Sequence, residues 1–244
     1  MKPILNALSK SLDDLREPRV LALGLLPPAA ALAVWAGLAW AYADDWARTV
    51  SDWIASTPWL AWVTDWGLSW LFIWASGIAA FALLLPIMLI TAVVVTDLVA
   101  MPVLVPLIGG RHYPQLRQLK GGTVAGSVWN AIASVAIFAT LWVVTLPLWF
   151  TGIGALVLPP LLSAYFNQRM FRYDALAEHA TPAEHAAVVR EAGGKLYGLG
   201  LALAALLYVP LVNLMVPVLS GLAFTHLCLA ELARLRESAV TRDS

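Results

Sequence analysis

Apolar residues along this chain come in long unbroken runs, not in the period-two alternation of strands or the single stripe of a soluble helix. The first run, Val20–Ala43, holds 24 residues and as a helix extends roughly 36 Å, enough for a tilted bilayer crossing. Pro27 and Pro28 fall about two turns in, where a membrane helix tolerates proline if neighbours satisfy the freed carbonyls. The second run, Trp66–Thr96, is longer, contains Pro86 and stops at Asp97. Two pairs of apolar arms follow: Thr123–Trp149 with Gly152–Phe166, then Leu196–Val209 with Leu214–Ala230, each joined at a tip rich in Pro, Gly or Asn. The arm Gly152–Phe166 reaches only roughly 22 Å, short of a hydrocarbon core of about 30 Å, which favours re-entrant hairpins. The expected fold is an all-α integral membrane protein with two long transmembrane helices (20–43 and 66–96) and two re-entrant, hemi-penetrating helical hairpins (123–166 and 196–230). An amphipathic N-terminal helix over 1–19 precedes them. No Gly/Ser- or Pro-rich linker divides the chain, so a single membrane domain over 1–244 is expected.

The polar stretches between the runs set the orientation. Of fifteen basic residues, only Arg48 falls between the first two crossings; the others lie before Val20, in Leu98–Gly122, in Asn167–Lys195 or in the tail. The positive-inside tendency then places both termini in the cytoplasm. Leu98–Gly122 reads as a polar connection, and 167–195 as a cytoplasmic polar segment whose part Ala175–Ala192 forms a surface helix. The opening residues mix Lys2, Lys10, Arg16 and Arg19 with Asp13, Asp14 and Glu17, and the apolar stretch after them is too long for a signal core, so an anchor is expected and not a cleaved leader.

Composition agrees. The chain is 61% apolar and 12% charged, with a mean hydropathy of +0.78. Soluble domains carry about 25% charged residues, so this chain cannot cover a water-facing surface of ordinary size. Fifteen acids balance the fifteen bases, which removes the basic surplus of a nucleic-acid binder. The single cysteine, Cys228, excludes a disulfide framework and a cysteine-based metal site, and reads as a small core residue.

Catalysis finds little support. His179 and His185 are six apart and off a common helix face, His112 and His226 read as isolated, and no HExxH, GxSxG or phosphate-binding glycine loop occurs. No enzyme activity, cofactor or metal is expected. Nine of twelve tryptophans lie between Trp35 and Trp74, and Trp59, Trp62, Trp66, Trp70 and Trp74 step along one helix face, as an interfacial aromatic belt does. The basic residues at membrane ends are the stronger candidates. Arg16 and Arg19 stand before the first crossing, with Arg19 following Pro18 at a helix start, where a guanidinium and free N–H groups suit an oxyanion. Arg169 and Arg172 stand after the first hairpin. Asn213, between Pro210 and Pro217, is the one strongly polar residue of Leu199–Thr225, either a turn residue or a substrate contact. Gly121-Gly122 and Gly193-Gly194 each precede an apolar arm, the trace of an internal repeat.

The run Tyr208-Val-Pro210-Leu-Val-Asn213-Leu-Met-Val-Pro217, with Leu15-Arg-Glu-Pro18-Arg19 leading to Leu25-Leu26-Pro27, resembles the CysZ sulfate permease family and its etoposide-induced relatives, of which this chain looks like a divergent member. The resemblance implies two transmembrane helices with two partly penetrating hairpins, a homo-oligomer, and proton-sensitive sulfate uptake supplying cysteine synthesis without ATP hydrolysis. The family's arginine pair after the first proline would fall at Leu21 and Ala22, where this chain has none. The expected function is an inner-membrane permease or channel for a small oxyanion, sulfate first, with Arg19, Arg16 and Asn213 as substrate contacts. Gly126, Gly198 and Gly200 would permit close helix approach in the oligomer. The alternative is a non-transporting membrane scaffold or assembly protein that recruits a partner through Ala175–Ala192.

Overall fold

Apolar runs in lipid must satisfy their own backbone, and the helix does so within one segment. The computed structural model, which describes residues 2–56, 69–149, 152–209, 212 and 215–243, is all-α, with no strand among those residues. The helices are α1 (Lys2–Asp14), α2 (Pro18–Ala55), α3 (Ser69–His112), α4 (Val124–Trp149), α5 (Ile153–Ala177), α6 (Pro182–Ala205) and α7 (Val216–Asp243), with a 3₁₀ turn at Leu206–Tyr208. Among the described residues, three stretches are long and apolar enough to cross a membrane: Val93–His112, Val124–Thr145 and Val216–Thr241.

Contacts divide the chain into two units, 29–92 and the remainder. In 29–92, Tyr42 stacks on Trp46 at 6.3 Å between ring centroids, and Arg48 pairs with Asp45 in solvent. Trp40 and Trp53 are exposed, whereas Trp59, Trp62 and Trp66 lie outside the described residues.

The other unit is organised on α7. From Val216 to Leu232 this helix buries Val218, Leu222, Phe224, Leu227 and Cys228 on successive faces, as a helix without a polar stripe must. Phe224 stacks on Phe171 of α5 at 6.2 Å, and Met101 of α3 packs at Gly221. Lys195 and Glu184 of α6 pair with Glu231 and Arg236 of α7, so those two helices run antiparallel. The helices α4 and α5 are antiparallel too. Ser127 donates to Asp174, the Asn130 amide reaches the Arg169 carbonyl at 3.2 Å, and Phe138 meets Phe166 at 4.9 Å. Gly152, at φ 73°, makes the tight reversal that an L side chain would strain.

Several boundaries differ from the sequence expectation. The helix expected to stop at Asp97 continues as α3 to His112, because Ala100, Met101, Leu104, Val105 and Ile108 give it a buried face. The polar connection shrinks to the residues between His112 and Val124. In the same way α5 runs past Phe166 to Ala177, since Met170, Phe171, Ala175 and Leu176 are fully buried among the polar residues of that stretch. At 25 residues α5 extends roughly 37 Å, but the added length is the polar-rich stretch after Phe166, and α5 is not among the described stretches apolar enough to cross a membrane. The segment Ala175–Ala192 is not one helix. It breaks at Glu178–Thr181, where Thr181 and Glu184 form a reciprocal capping box with Pro182 in the first turn. Its α6 part packs Val188 and Ala192 inward, and Glu184 is held by Arg236.

The two glycine pairs are not equivalent. At Gly121 and Gly122 the chain passes against Ala180 and Ala177, leaving no room for a Cβ, and the Gly122 N–H donates to the Ala177 carbonyl at 2.8 Å. Gly193 and Gly194 lie inside α6 with open space around them. Gly126, Gly198 and Gly200 make their close approaches within the chain, to Tyr173, Ile4 and the Ala164 backbone respectively.

Two outcomes follow for stability. A Cβ on Gly200 would lie 2.6 Å from the Ala164 carbonyl oxygen, a backbone atom that cannot swing away. Gly200→Val should cost about 1–3 kcal/mol, seen as a lower melting temperature in detergent, while Gly194→Ala should melt no lower than the parent chain. Burial, with Arg236 nearby, holds His179 below its ordinary value, and burial, with Arg172 nearby, does the same to His185. Below the unfolded value of about 6.5 the unfolded chain takes up protons that the folded chain refuses. Stability should therefore fall as pH drops through 6.5 towards the folded values, and His179→Asn should flatten that dependence between pH 7.5 and 5.5.

Candidate functional site

The α1–α2 turn carries two of the expected contacts. Its backbone is closed by the Leu15, Arg16 and Glu17 N–H groups donating to the Ser11, Asp13 and Asp14 carbonyls. Arg16 is exposed and pairs with Asp13 at 3.2 Å, a surface pair of small energetic weight. Arg19, second residue of α2, is exposed, with no ion pair among the described residues. In this first helical turn the Arg19 and Val20 N–H groups have no intrahelical acceptor, and the Leu21 N–H is the first to be bonded, to the Glu17 carbonyl. Leu21 is half-buried and Ala22 exposed. Asn213 lies outside the described residues. Arg172 is held by Gln168 at 2.9 Å on α5, so the α5 arginines and the turn arginines sit on different elements.

The same turn positions a cluster that spacing along the chain does not reveal. Asp14 ends α1, where the helix dipole disfavours a carboxylate and the last turn has no basic residue of its own. Its partners come from two distant helices. Oδ1 lies 3.0 Å from Nε2 of His112, at the end of α3, and Oδ2 lies 2.7 Å from Nε2 of His226, within α7. Arg111 approaches Oδ1 at 3.6 Å and pairs more closely with Glu17. Burial pushes the Asp14 carboxyl up, but the hydrogen bonds and charges of His112 and His226 outweigh it and hold the group below the usual carboxylate value. Tyr113 donates to the His226 carbonyl at 3.0 Å, and Lys10 stands 5.1 Å over its ring. Burial, with Asp14 adding its negative charge, pushes the Tyr113 phenol up to about 12. Beside this cluster a cavity of about 410 Å³ is lined by Lys2, Asn6, Lys10, Tyr113, His226 and Arg234. It is an electropositive recess, since Glu231 at its edge is already neutralised by Lys195.

A second buried polar group is acidic. Asp97, inside α3, is 1% exposed and neighbours Asp174 of α5, which accepts from Ser127. Burial pushes the Asp174 carboxyl up. An ionisable residue within an apolar span marks a functional position by default, because its desolvation must be offset by something it does.

Two signals for the first cluster are present in the sequence. Asp14 occupies the same α1 face as Ala7 and Ser11, so an acid stands on the buried face of an amphipathic helix. His226 interrupts an apolar run. Each needs a partner, and neither names it.

Removing that partnership should loosen α1. Asp14→Ala leaves the fully buried His226 without its acceptor, at a cost on the order of 2 kcal/mol. Limited proteolysis should then cut the α1–α2 turn several times faster than in the parent chain.

The family model described as sulfate transporter CysZ/etoposide-induced protein 2.4 matches residues 7–217. No curated protein and no solved structure matches the chain.

Proposed function

This chain belongs to the sulfate transporter CysZ/etoposide-induced protein 2.4 family, and from that premise we propose that it is a permease or channel for a small oxyanion, sulfate first, in a bacterial inner membrane with both termini in the cytoplasm. The observation that carries the proposal is the match over residues 7–217, which takes in α2 to α6 in full, parts of α1 and α7, and both basic stretches around the α1–α2 turn and α5. Sulfate would supply sulfur assimilation, and a homo-oligomer would enclose the path.

The physical argument for an anion rests on exposed positive charge near helix starts. Arg19 offers a planar guanidinium beside unsatisfied N–H groups of α2, a combination suited to a tetrahedral oxyanion. Arg16 adds charge to the same turn and is only weakly occupied by Asp13. Asn213 is the polar contact at the tip of the last helix pair. Without arginines at Leu21 and Ala22, the anion meets a single guanidinium at the helix start, which favours weak, rapidly released binding, as conduction requires. The scaffold alternative keeps only part of its surface, since Glu184 and Lys195 of α6 pair with α7 while Arg190 and Glu191 remain exposed.

Protein in liposomes should take up labelled sulfate above empty liposomes, and Arg19→Ala should lower the rate by about tenfold, the loss of one charge-assisted contact. No uptake at any pH between 5 and 8 would defeat the transport reading. An unchanged rate in Arg19→Ala would defeat the assignment of that residue alone.

A further inference from the structure

We propose that Asp14, His112 and His226 form a binding site for one divalent transition-metal ion, zinc by donor chemistry, which fastens the end of α1 to α3 and α7. The donor atoms are one carboxylate oxygen of Asp14 and one ring nitrogen of each histidine, three atoms all within 4.8 Å of one another. Both imidazoles aim the same nitrogen at the same carboxylate, at 3.0 and 2.7 Å. Ligands bound at about 2.0–2.2 Å in a four-coordinate site lie roughly 3 Å apart. The two carboxylate–imidazole spacings are already near that value, and the remaining separation, at most 4.8 Å, is within reach of side-chain rotation. Two imidazoles and a carboxylate select zinc-like ions over magnesium or calcium, which prefer all-oxygen cages.

The surroundings fit a metal-ligating histidine. With Nε2 on the ion, the proton of His226 resides on Nδ1, which lies 3.5 Å from the Tyr113 hydroxyl oxygen. That oxygen can accept while its own proton goes to the His226 carbonyl, so the ring is oriented from behind, as ligating histidines are. Asp14 and His226 are buried and His112 is half-buried, giving a site closed on two sides. Of the neighbouring cations, Arg111 comes within 3.6 Å of Oδ1 of Asp14. Arg111 has Glu17 as its closer partner, and Lys10 rests on the Tyr113 ring. On binding, two N–H···O hydrogen bonds are exchanged for metal–ligand bonds and the displaced Nε2 protons leave to Nδ1 or to solvent, so the ion links elements separated by 98 and 212 positions.

The test uses untagged full-length chain in detergent, stripped with chelator and titrated with Co²⁺ as an optical probe and with Zn²⁺ in competition. One equivalent per chain, a visible absorption band from nitrogen and oxygen ligands, and a higher melting temperature at saturation are expected. His112→Ala, half-buried and tolerant of truncation, should weaken Co²⁺ binding by at least tenfold while the metal-free variant keeps the parent's elution volume. His185→Ala, on the unrelated α6, should leave binding unchanged. No saturable binding by the folded parent chain, or equal binding by His112→Ala and a His112→Ala/His226→Ala double variant compared with the parent, overturns the site. The readout is binding, so the result is independent of whether sulfate is transported.

Discussion

The constraint on which the larger unit depends is that α7 has no face to spare. Its apolar side chains are buried in every direction, against α1, α3, α5 and α6 in turn. On a helix so placed an unpaired buried donor or acceptor costs as much as several good contacts gain, and among the described residues of α7 only the buried Ser220 hydroxyl is left without a partner. Thr225 answers its own through the Gly221 carbonyl, and Glu231 is met by Lys195 and Arg234. His226 has no such local solution. Its partner is the carboxylate of Asp14, and that one demand fixes where α1 ends and which way the following turn presents Arg16 and Arg19.

The charged groups of α6 follow from the same crowding. With α7 filling the space beside it, α6 can extend past the capping box at Thr181 only by pairing Glu184 and Lys195 across the contact. Small residues do the corresponding work where backbones touch. Gly200 lets α6 close on Ala164 of α5, and Gly121 with Gly122 lets the loop before α4 close on the loop after α5. Those glycines are therefore committed to contacts within one chain.

Composition and run length made the all-α membrane character legible, and short motifs around Pro18 and Pro210 made the family legible, because both are local properties of the chain. Boundaries were less so. Asp97 reads as a stop when charge is taken to mean water, yet it is buried with Asp174 beside it, and α3 passes through it. Asn167 to Asp174 reads as solvent-facing when polar residues are counted, yet Met170 and Phe171 among them are fully buried and carry the helix onward. The break at Thr181 was written in the sequence, as a threonine followed by proline and, three residues on, glutamate. Asp14, His112 and His226 could not be associated from spacing, since nothing local ties residue 14 to residue 226.

That last separation bears on how the molecule is made. The helix α1 takes its buried partners from residue 112 and from residue 226, so its carboxylate waits, solvated, until both of those later helices have been made. Contacts of such high sequence separation are slow to form and are rewarded only after the intervening loops have closed. Docking of α1 is thus a terminal event of assembly, possible only once α7 is in place, and it seals the bundle in the manner of a latch closed from the outside.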